Sequence, residues 1–160
     1  MKSKLTLTEA YNLGTTTDNL FKSPFIGGKD FLITWLTDLF TTRAKQGKGM
    51  LRDKNGGFCC LGRCFVVAGV KPKKQSNGDW EYQGEDSYLS EETMVKIGFV
   101  NWKGEFKSIE LESYKLMYSL ADLNDEHGFS FKQIAAFVCG VWKKQFGTDL
   151  EEVRQYWEGK

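Results

Sequence analysis

FLITWLTDLFTTRAKQ, residues 31–46, decides the fold class, because Leu32, Trp35, Leu36, Leu39 and Phe40 recur at helical spacing. Such a stripe buries one side of an amphipathic helix. The spacing predicts a helix over 31–45, opened by Asp30 as N-cap and ended by Gly47. Toward the N-terminus, Thr15, Thr16 and Thr17, then Ser23-Pro24 and Gly27-Gly28, interrupt any long element. Residues 1–29 are therefore expected to be a partly ordered lead-in to a single domain over 30–160.

Toward the C-terminus, GMLRDKNGGFCC (49–60) carries hairpin-turn chemistry at Asp53–Gly57 between expected strands at 49–52 and 57–59. LGRCFVVAGV (61–70) reads as a short buried helix that starts near Cys60 and stops at Gly69. Residues 71–88 form a polar excursion with a strand at Asp79–Tyr82. Ser90, followed by two glutamates, caps a helix through Ile97. FVNWKGEF (99–106) reads as a second hairpin turning at Lys103-Gly104. IELESYKLMYSLADLND (109–125) sets Leu116, Leu120 and Leu123 at helical spacing. Ser130 and Gln133 form a capping-box pair before the helical FKQIAAFVCGVWKKQF (131–146), and Thr148 with Glu151 repeats the device for a helix over 149–158. The class that follows is α+β, a mostly helical domain with two short β-hairpins.

A chain of 160 residues buries enough surface to fold without a disulfide or metal staple. Aromatics reach 14%, enough to supply core area and to leave rings for stacking on a planar ligand. Lysine plus arginine (22) nearly balances aspartate plus glutamate (21), which excludes a bulk nucleic-acid binder but not a local basic site. No stretch is apolar enough to span a membrane and the N-terminus lacks a signal-peptide run, so the expected location is cytoplasmic. The four cysteines, Cys59, Cys60, Cys64 and Cys139, are expected to be reduced. Their spacing matches no zinc pattern, and no metal or cofactor is expected.

Three segments carry candidate chemistry. In the first, Arg43, Lys45, Gln46, Gly47, Lys48, Gly49 and Arg52 combine four cations with two glycines. Glycine exposes backbone N–H groups and the cations add charge, a composition suited to an anion such as phosphate. The commoner role of such a stretch is a solvated helix end. In the second, Cys60 falls at a helix N-terminus, where the dipole favours a thiolate. Paired with His127 and oriented by Asp125, it would make a thiol hydrolase; the commoner role of a free cysteine is packing. In the third, Asn124 and Asp125 close a helix, bonding nearby backbone or reading the polar edge of a ligand. Trp80 and Trp102 lie outside the helical stripes and could stack on a planar ligand or cover the core.

The order of these motifs, Lys45-Gln46-Gly47-x-Gly49-x-Leu51-Arg52, then Gly57-Phe58-Cys59-Cys60-Leu61-Gly62, then Leu123-Asn124-Asp125 and Ser130-Phe131-x-x-Ile134-Ala135, resembles a widespread group of small phage and prophage proteins with no established activity. The resemblance covers about residues 31–70 and 116–138. It implies a phage origin and a one-domain fold, and it suggests that the three segments meet. By analogy with phage proteins that interfere with host defence, the leading expectation is a binding protein that sequesters a small anionic, nucleotide-type ligand. A homo-oligomer could complete its pocket. The alternatives are a protein-interaction module that blocks a host enzyme, and the Cys60 hydrolase.

Overall fold

A computed structural model describes residues 2–111 and 115–160. The architecture is α+β and mostly helical, with two small antiparallel two-stranded sheets. One cluster of buried side chains runs from Ala10 to Trp157. At its centre lies α6 (Phe131–Phe146), whose capping box is formed as expected by Ser130 and Gln133. Every residue of α6 from Gln133 to Trp142 is buried, because helices cover it on several sides.

The expected lead-in is instead part of the core. Helix α1 (Leu7–Gly14) opens on a capping box between Thr6 and Glu9 and packs closely on α6. The contact is made by glycines: a Cβ on Gly14 would lie 2.0 Å from Phe137 O, and one on Gly140 would lie 2.0 Å from Tyr11 O. Tyr11 also stacks on Trp157 with ring centroids 3.6 Å apart. A helix that buries Ala10, Tyr11 and Gly14 shows no stripe of large apolar residues, so its sequence signal is weak.

Helix α2 (Lys29–Thr41) buries the stripe from Leu32 to Phe40 as expected, but its ends differ. Gly28, not Asp30, is the N-cap; Asp30 sits in the first turn. The helix stops at Thr42, which is extended at ψ 146, well before Gly47. The chain must straighten there so that Lys45–Gly47 can run beside Phe58, with Phe58 N–H donating to Lys45 O (2.8 Å) and Gly47 N–H to Phe58 O (2.7 Å).

The strands expected at 49–52 and 57–59 reduce to isolated bridges of Phe58 with Gln46 and Arg52. The turn chemistry is nevertheless as read: Asp53 Oδ1 accepts the N–H groups of Asn55 and Gly57, both at 2.9 Å. Helix α3 (Cys60–Val67) starts at the expected residue. The first true hairpin lies in the polar excursion, where β1 (Lys73–Lys74) pairs with β2 (Trp80–Glu81). Helix α4 (Glu91–Ile97) is capped by Ser90 and ends on Gly98 in the left-handed region at φ 86.

The second hairpin is displaced. Strands β3 (Glu105–Leu111) and β4 (Lys115–Ser119) pair where a helix over 109–125 was expected. Positions 112–114 of that expected helix lie outside the described residues. Along β4 burial alternates: Met117 is buried, whereas Leu116 is 56% exposed. The leucine spacing thus mimicked a helical period across a strand–helix junction. Only α5 (Leu120–Asp125), capped by Ser119, is helical. The C-terminal segment is a 3-10 helix (Glu151–Tyr156) rather than an α-helix from 149, and no side chain caps it. Asp149, next to its start, instead binds Tyr11 and Arg154.

Candidate functional site

The tertiary fold brings the three motif segments together at Asn124, which is 1% exposed. Its Oδ1 accepts from Gln46 Nε2 at 2.8 Å and from Cys60 N–H at 3.2 Å. Its Nδ2 donates to Gly47 O at 2.8 Å and to Asp125 Oδ1 at 2.9 Å. One buried amide therefore joins the segment after α2, the first residue of α3 and the end of α5. A buried polar side chain is tolerated only when satisfied, and this one is fully engaged.

Above this knot opens a cleft of about 680 Å³. Gln46, Lys48 and Asn124 form one wall. The turn into α6, from Gly128 to Ser130, and Gln133 form another. Lys2 and Ser3 close the third side, because Gln133 Nε2 donates to Ser3 O (3.1 Å) and Leu5 O (2.8 Å), and Ser3 N–H donates to Gly128 O (2.9 Å). The lining holds two lysines and two serines and no carboxylate. Its free donors, the ammonium groups and the hydroxyls, suit a negatively charged oxygen-rich group.

The remaining expected ligand residues lie elsewhere. Arg43, Lys45 and Gly49 are exposed and do not line the cleft. The Arg52 guanidinium lies between two rings, 5.0 Å from the centroid of Phe58 and 4.7 Å from that of Trp80. Arg63 covers Phe58 at 4.9 Å and grips Asp38 with two bonds of 2.8 and 2.7 Å. Arg52 and Trp80 thus belong to a ladder of cations and rings that braces the loop before α3. Trp102 is 56% exposed and also outside the cleft. Asp125 accepts from Asn124 Nδ2 and does not line the cleft.

Cys60 occupies the helix N-terminus expected of it, while Nδ1 of His127, its expected partner, is buried with no hydrogen-bond partner among the described residues. Cys60 is fully buried, with Sγ facing Leu120 O at 3.7 Å. Burial pushes its thiol well above the ordinary value, and the neighbouring cysteines and Asp125 add to the shift. Desolvation outweighs the dipole of a helix this short. Cys59 is pushed up to about 12, again chiefly by burial. In the folded chain all four cysteines should therefore resist iodoacetamide at neutral pH and label together only on unfolding. Rapid alkylation of one thiol in native protein, read by intact mass, would restore a reactive cysteine. Among the described residues no three His, Cys, Asp or Glu side chains gather as a metal site, and no helix is long and apolar enough to cross a membrane.

Two thirds of the cleft lining is not legible in the sequence: of its nine residues only Gln46, Lys48 and Asn124 stand among the expected ligand residues. Ser130 and Gln133 were visible as a capping box, but nothing local marked them as lining. Lys2 and Ser3 carried no signal, since their place depends on α1 docking against α6.

Fold and site together define a mostly helical α+β protein with a lysine-flanked cleft over a buried asparagine knot. The chain belongs to the family described as Domain of unknown function (DUF8296), which matches residues 31–141. That span includes Gln46, Cys60 and Asn124 but not Lys2 and Ser3. No curated protein and no solved structure matches the chain.

Proposed function

We propose that the protein is a binding protein that captures a small anionic ligand of nucleotide type in this cleft, without chemistry of its own. The observation that carries the reading is the lining: Lys2 and Lys48 face a concave surface that contains two serine hydroxyls and no carboxylate. A phosphate group gains charge-assisted hydrogen bonds there. The resemblance to phage and prophage proteins supports placing such capture in counter-defence, where it would withdraw a nucleotide signal in the host cytoplasm. The buried, high-pKa thiols favour binding over catalysis.

A thermal-shift screen at low salt with linear and cyclic nucleotides tests this. Saturation at 100 times Kd stabilises by about 2.7 kcal/mol, and a chain of this length gains about 2–4 °C in Tm per kcal/mol. Lys48→Met should weaken binding about tenfold and reduce its salt dependence, as expected for loss of one charge-assisted contact. A flat screen across all nucleotides would overturn the reading and favour the second one, contact with a host protein. The exposed Trp102, Leu116 and Tyr118 would then be the surface to test.

A further inference from the structure

The amide of Gln46 has a single allowed orientation, fixed from deep in the core. Cys60 N–H can only donate, and it points at Asn124 Oδ1. Flipping Asn124 would set its NH2 against that N–H and its oxygen against the Gly47 carbonyl. Asn124 Oδ1 in turn receives one hydrogen of Gln46 Nε2, and Phe129 O receives the other at 2.8 Å. Flipping Gln46 would bring its oxygen against two acceptors. Both hydrogens of Nε2 are therefore taken, and Oε1 has no hydrogen-bond partner among the described residues. Gln46 lies in the cleft wall two residues from Lys48. The groups on the facing walls with hydrogens to give, Lys2, Ser3 and Ser130, are donors suited to an anion.

We infer that Gln46 Oε1 is the specificity-determining acceptor of the cleft. It selects ligands that carry an N–H or O–H donor beside their anionic group, and it discriminates against anions that carry acceptors alone. The inference rests on the cleft being the ligand site. An acceptor that cannot rotate its donor face into place loses water without replacement when the ligand has nothing to give, and it repels a second anionic oxygen. A nucleotide meets both demands, through its phosphate and through a ribose hydroxyl or base N–H. Asn124 acts through Gln46 and is a positioning residue.

The test is calorimetric titration of the full chain with the 5′-monophosphates of adenosine, guanosine, cytidine and uridine. Each is paired with its 2′,3′-dideoxy form and with a form in which every base N–H is replaced by N-methyl. For a nucleotide that binds, at least one stripped form should bind about tenfold or more weakly to the wild type. In Gln46→Met, parent and stripped forms should bind within about twofold of each other, because the acceptor that told them apart is gone. Equal binding of parent and stripped forms by the wild type would overturn the inference whether or not Gln46→Met folds. Discrimination that survives intact in Gln46→Met would overturn it too. If either result comes with about tenfold weaker binding of every nucleotide by Lys48→Met, the cleft stands as the ligand site and only the role of Gln46 falls. Failure of all four parents to bind would overturn this inference, and with a flat thermal-shift screen the cleft reading also falls.

Discussion

Asn124→Ala is expected to destabilise the fold by about 4 kcal/mol, since it strands two buried backbone groups at about 1–3 kcal/mol each and removes the packing of the carboxamide around them. The stranded groups are Cys60 N–H and Gly47 O, both in buried residues. Gln46 loses its anchor in the same step, so the cleft wall should loosen even where the core survives. Asn124→Asp sharpens the argument. It keeps an oxygen toward Cys60 N–H but sets a second oxygen against Gly47 O and the Asp125 carboxylate, so it should cost nearly as much as the alanine. Urea denaturation of both variants checks this. A loss below about 1 kcal/mol in either would mean that water or a shifted backbone satisfies those groups, and that the knot is not what joins the three segments.

Gly140→Ala should be the second large loss, against the direction that helix propensity sets. In a helix interior alanine is preferred to glycine by about 1 kcal/mol, so an exposed site would gain from the change. At Gly140 the new Cβ would stand 2.0 Å from Tyr11 O, 2.9 Å from Thr15 N and 3.0 Å from Gly14 Cα. All three are backbone atoms, with no rotamer to swing aside. Helix α1 must back away, which opens the buried face of Ala10 and the Tyr11–Trp157 stack. The clash wins, with a net loss of about 3 kcal/mol, at the upper end for overpacking. At about 2–4 °C per kcal/mol this lowers Tm by roughly 6–12 °C. Hydrogen exchange should show α1 deprotected first. A Tm at or above that of the wild type would mean that the two helices do not meet backbone to backbone at Gly140. Because Lys2 and Ser3 reach the cleft only when α1 is docked, the same variant should also weaken ligand capture.

What the residues determined by themselves is what short-range physics controls. The stripe of α2, the start of α3 at Cys60, the Ser90 cap of α4 and the capping box of α6 all depend on neighbours within a few positions, and each stands where its pattern placed it. The Asp53 turn likewise kept its chemistry even though its flanking strands shrank to bridges. Tertiary contact decided the rest. Leu116, Leu120 and Leu123 satisfy a helical spacing, but pairing with β3 makes the first of them part of a strand, and only the last two fall in α5. Helix α1 is stable because two glycines let its backbone meet that of α6, and a glycine carries no apolar stripe to read. At the site, Gln46, Cys60 and Asn124 could each be singled out by type and order. Their bonds, however, span 64 to 83 positions along the chain. No local periodicity encodes which way an amide turns when its partners lie that far away; only the folded core, by burying those groups and requiring each to be satisfied, sets it.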